Sequence, residues 1–135
     1  MRKFMMMLCC LSFVPSVWAA APYDGSVPLF CAVLSIQECA NDSGECHLRR
    51  AAEVNIPPFV KIDVAQNLIT STGAESRQAA GQRLENTDDR LIMQGGQGGR
   101  GWTITIATET GQMSASVVDA EVGFVIFGAC TSLAK

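Results

Sequence analysis

Cys39, Cys46 and His47 stand close together in "QECANDSGECH", and with Cys31 they make a Cys₃His set of the kind that holds zinc. Such a site needs free thiolates and would strand Cys130. The Cys46-His47 pair also ends like a covalent haem site, but that site requires C-x-x-C-H, and here six residues separate Cys39 from Cys46. Neither a metal nor a haem is expected. Of the six cysteines, Cys9 and Cys10 fall in the N-terminal apolar run expected to be removed, and the remaining four, in an oxidising compartment, form disulfides, for which there are three connectivities. The pairing expected is Cys39–Cys46, around a short polar loop, and Cys31–Cys130, joining the first strand to the last. In the chain-entropy picture the long closure contributes about 4 to 5 kcal/mol and the short one about half that.

A second spacing carries chemistry. In "MQGGQGGRGW" (93–102), Gly96, Gly98 and Gly101 fall on G-x-G-x-x-G, with Asp119 and Glu121 about twenty residues on, as in a dinucleotide fingerprint. That fingerprint works only where the glycines lead from a strand into a helix whose N–H groups hold a pyrophosphate. After Gly101 comes "WTITIAT", β-branched and alternating, so the glycines predict a flexible hairpin loop and no cofactor. Loops of this kind present binding residues, and Arg100 and Trp102, with Gln97, could recognise a carboxylate or a sugar on a partner.

Catalytic constellations are weaker. A Ser-His-acid triad would have to recruit His47, the sole imidazole, and no G-x-S-x-G elbow is present. Glu85 with Asp88 or Asp89 could supply the carboxylate pair of a glycoside hydrolase, although Asp beside Asn and Thr is also turn chemistry. "NDSGE" lacks the order of ligands in a calcium loop. No catalytic residue is expected.

The elements that must position these residues read as strands. "PLFCAVLSI" (28–36) is almost continuously apolar, as is "FVIFGAC" (124–130), and both suit strands covered on two faces. Between them the period is two. Val60, Ile62 and Val64 share a face, as do Trp102, Ile104 and Ile106, and Met113, Ala115 and Val117. "HLRRAAEV" (47–54) has some helical propensity, ended by Pro57 and Pro58. Residues 71–82 are polar and read as the longest loop. The fold expected is all-β, an antiparallel meander of about seven or eight strands forming a small barrel or sandwich, stapled by disulfides, with the end strands adjacent.

The first residues have another purpose. Arg2 and Lys3 precede an apolar run too short to span a bilayer, and "VWAAA" comes next, so residues 1–19 read as a signal peptide and 20–135 as one β domain. Cleavage there takes Arg2 and Lys3 away and leaves eight basic against thirteen acidic residues. An acidic surface repels phosphate backbones and anionic headgroups, so nucleic acid is not an expected partner, nor is membrane insertion after cleavage.

The string "GWTITIATETGQMSASVVDAEVGFVIFGACT", with "IPPFVKID" and the spaced cysteines, resembles a family of small exported proteins of Gram-negative bacteria with no assigned function. The resemblance implies an exported β domain and carries over no functional residues. Together these features predict a periplasmic or secreted, non-enzymatic binding or interaction module of the cell envelope, its partner a protein or a saccharide. Inhibition of an envelope-directed enzyme is one form of it. The alternative is a carboxylate-dependent hydrolase acting on envelope glycans.

Overall fold

The computed structural model describes residues 22–73 and 75–133, so the expected signal peptide lies outside the described residues. The strands are β1 (Leu29–Ala40), β2 (Cys46–Arg49), β3 (Phe59–Asp63), β4 (Leu68–Ser71), β5 (Gln78–Ala80), β6 (Arg83–Asn86), β7 (Arg90–Gln97), β8 (Arg100–Ala107), β9 (Gln112–Val118) and β10 (Val122–Ser132). Nine of them follow the path β5-β4-β3-β1-β10-β9-β8-β7-β6, an antiparallel half-barrel, and β2 pairs with β1 off that path. The two ends of the path are consecutive in the chain. At the junction the Gly81 N–H donates to the Asn67 carbonyl and the Gln82 N–H to the Gln94 carbonyl, both at 2.8 Å, so the backbone changes partner within two residues.

Ten strands form where seven or eight are expected, because polar segments pair through backbone alone. Residues 78–80, within the expected loop, become β5, while β6 at 83–86 is the short strand that the sequence suggests around Leu84. The helical propensity of 47–54 yields to pairing with β1, in which Cys46 sits opposite Cys39 and His47 opposite Glu38. Only a 3-10 turn, Ala51–Glu53, remains of it. Both expected disulfides are present, Cys31–Cys130 and Cys39–Cys46. Cys31 faces Cys130 directly across the β1–β10 ladder, so the end strands are neighbours, as the sequence predicts.

One expectation needs correction. The end strands are not covered on both faces, since Leu34 is 71% exposed and Phe127 49%. The continuous apolar run of β1 has a different cause. The β1–β10 register slips between Val33 and Ser35, leaving Leu34 as the extra residue of a bulge. Leu29, Cys31 and Val33 turn inward before the bulge and Ile36 after it, so the inward parity changes from odd to even numbers. In β10, Phe124, Ile126 and Cys130 are buried while Val125 and Phe127 face outward. On the outer surface Phe30 stacks on Phe59 with centroids 5.6 Å apart.

The interior is divided. At one end Leu29, Ile62, Ile69, Leu91, Met93 and Ile106 pack around the buried disulfide, with Tyr23 of the N-terminal arm against them. The Tyr23 N–H donates to the Thr108 carbonyl, holding that arm across the end of the barrel. At the other end Ile36, Phe124 and Ile126 form a smaller cluster, against which Ala51, Val54 and Ile56 fold as a cap. Between the clusters the barrel is not filled.

Candidate functional site

The unfilled space is a cavity of about 500 Å³. Its wall comes from the inward faces of six strands: Val33, Val60, Ile69, Trp102 and Ile104, Met113, Ala115 and Val117, and Phe124 and Ile126. The strict alternation of β3, β8 and β9 is what presents these side chains to one interior. Residues 54–57 lie over it, and Arg77, Gln78, Gln97 and Arg100 bring polar groups to it. The volume falls inside the range of roughly 300–1,000 Å³ usual for small-molecule sites, as does the mixture of an apolar wall with a few polar groups.

Gln97, Arg100 and Trp102, singled out from the sequence, all line this one cavity. Their positions derive from the hairpin. Gln97 pairs with Arg100, Gly96 with Gly101 and Gly95 with Trp102. The turn itself is only Gly98 and Gly99, with φ of 62° and 80°, the left-handed conformation that a two-residue hairpin turn requires. The expected flexible loop is thus mostly paired strand. Gly95 has a separate task, because a Cβ there would lie 2.4 Å from Trp102 Cζ2, so the indole occupies the space its missing side chain leaves. The Trp102 Nε1 is buried without a hydrogen-bond partner among the described residues.

Arg100 Nε donates to Asp119 Oδ2 at 3.2 Å. Asp119 is held chiefly by the turn after β9, where the Glu121 and Val122 N–H groups both donate to its Oδ1 at 2.9 Å. Those two bonds, the Glu121 one foremost, draw its carboxyl below the usual carboxylate range, and Arg100 adds a smaller pull the same way. Arg77 was not singled out from the sequence. Its Nη2 donates to the Asn55 carbonyl at 3.0 Å, tying the β4–β5 connection to the cap. Nothing in "ESRQ" distinguishes this arginine from a solvated one until the sheet curls.

The other groups lie elsewhere. Glu85 pairs with Arg83 on exposed β6, and Asp89 accepts from Thr87 Oγ1 and sits 3.4 Å from Arg90. None of Glu85, Asp88 and Asp89 lines the cavity. His47 is on exposed β2, 3.5 Å from Glu45, and the thiolates a Cys₃His set would need are consumed in disulfides. Gly101 lies within β8, a strand, so the glycine spacing offers no helix N-terminus to a pyrophosphate.

Comparison with protein-family models, with curated proteins and with solved structures finds no match to this chain. The functional reading therefore rests on the cavity alone.

Proposed function

We propose that this protein is an exported, non-enzymatic binding module of the cell envelope that holds an apolar ligand inside its half-barrel. The observation that supports this most is the cavity of about 500 Å³ left between two packed clusters. The space is open to solvent, so its apolar lining faces water, and a ligand that covers that lining would gain the free energy of burying it. The two disulfides are compatible with an oxidising, non-cytoplasmic compartment, which supports the periplasmic or secreted setting. No helix among the described residues is long and apolar enough to cross a membrane.

Trp102 provides the test, because it is the single tryptophan among the described residues and lines the cavity. Protein recovered after export is titrated with the apolar dye N-phenyl-1-naphthylamine, following energy transfer from Trp102 to the dye. The reading predicts saturable transfer at one dye per chain, reversed by apolar competitors. Dye fluorescence that rises without saturation, in proportion to added dye, would contradict it.

A further inference from the structure

We infer that the ligand is a single-chain amphiphile with an anionic head, a fatty-acid-type monocarboxylate, its tail in the cavity and its carboxylate against Arg77 and Arg100. This rests on the reading of the cavity as a ligand site and adds the chemistry of the head group. Charge carries the argument. The chain has thirteen acidic residues against ten basic ones, yet none of the described residues that line the cavity is acidic, while two are arginines. The lining itself is therefore cationic where the molecule is anionic, with Asp119 outside it pairing Arg100.

The ion pairs sharpen this. Arg49, Arg50, Arg83, Arg90 and Arg100 each pair with a carboxylate. Among the described lysines and arginines only Lys61 and Arg77 do not. Lys61 faces outward on β3, whereas Arg77 lines the cavity and has only the Asn55 carbonyl as a hydrogen-bond partner for its side chain among the described residues. A guanidinium carries five N–H donors in a planar fork suited to a carboxylate, and the remaining donors of exposed Arg77 face solvent at the mouth of the cavity, open to a ligand. Arg100 presents the second cation, already steered by Asp119. Beneath them the wall is aliphatic and aromatic from Val33 to Ile126, which accepts methylenes and rejects a second charge. Gln78 and Gln97 supply neutral donors beside the arginines.

The test compares dodecanoate, dodecanol and dodecyltrimethylammonium, which share a tail and differ in head charge. Binding is measured by calorimetry on protein recovered after export, with phosphatidylglycerol vesicles as a separate arm. Dodecanoate is expected to bind more tightly than dodecanol by about tenfold or more, and the cation most weakly, because a charge-assisted bond to a guanidinium is stronger than a neutral one. In R77Q/R100Q the ratio of dodecanoate to dodecanol affinity falls toward unity. Asp119→Asn raises the ratio, since it frees Arg100 while its side-chain oxygen still accepts from Glu121 and Val122.

Equal affinity for dodecanoate and dodecanol in the unaltered protein would overturn the head-group assignment and leave the apolar cavity standing as a site. So would a preference for the cation. Failure of all three to bind would sink the assignment and the ligand-binding reading together. Capture by the vesicles without binding of free dodecanoate would make the arginines a lipid-surface contact and overturn the assignment as well.

Discussion

Trp102 concentrates the chemistry of the site in one side chain, because it lines the cavity, fills the space over Gly95 and buries an unpartnered Nε1. A buried donor left unpaired costs about 1–3 kcal/mol. Trp102→Phe removes the donor and keeps a ring, so its unfolding free energy should stay within about 1 kcal/mol of the unaltered protein, whereas Trp102→Ala should lose about 3 kcal/mol or more. Urea denaturation distinguishes the two, and an equal loss in both would show that the ring's fit over Gly95 is not what holds it. Asp119 makes a second residue-scale prediction. Its native carboxyl titrates below its ordinary value of 3.8, so the stability it contributes is present above that value and lost as pH falls through the lowered one. Asp24, held by the Ser26 hydroxyl and N–H, and Glu53, held by the Arg50 N–H and guanidinium, contribute in the same direction. Asp119→Asn should make acid unfolding less steep at the low-pH end, measured as the pH dependence of the urea midpoint.

At the scale of elements the sequence is informative wherever a side chain's direction is set by parity. The alternation in β3, β8 and β9 identifies Val60 and Ile62, Ile104 and Ile106, and Met113 and Ala115 as inward, and of the three connectivities the cysteines allow, the expected one is the one that forms. Parity misleads in β1, where nearly continuous apolar residues conceal a bulge at Leu34 that shifts the inward set, so the run mimics two-sided burial where only one face is covered. The short strands β2 and β5 carry no readable pattern, since their residues are mostly exposed and no buried face imposes an alternation, and of β6 only Leu84 gives a sign. The staples test the element-scale account. Cys31–Cys130 closes a separation of 99 residues and Cys39–Cys46 one of 7. Replacing the first pair with alanine should cost about 4 kcal/mol or more and the second about 2 kcal/mol, read from urea denaturation without reductant. A larger loss for the short loop would contradict the chain-entropy account.

For the whole molecule, the feature that matters most is a space, and space is not written in periodicity. Alternation tells which face of a strand is inward but not whether the inward side chains meet. Gln97, Arg100 and Trp102 are legible in the sequence as one group of cavity-lining residues because a glycine-rich hairpin displays them. Arg77 and the cap at 54–57 are not, because they reach the cavity only when β5 and β6 join the two ends of the half-barrel. The division into two packed clusters with a space between them is equally a property of how the sheet curls. It points to a single decisive substitution. Ala115 projects from β9 into the cavity, so Ala115→Phe puts a ring where the ligand tail would lie. Overpacking a filled core costs about 1–3 kcal/mol, while filling a real cavity is neutral or stabilising by about 0.5–2 kcal/mol. The most direct measurement is the dodecanoate affinity of Ala115→Phe together with its urea stability. The account predicts binding weakened by about a hundredfold or more with stability unchanged or raised. Undiminished binding would place the ligand elsewhere, and a stability loss of several kcal/mol would mean that the interior is already full.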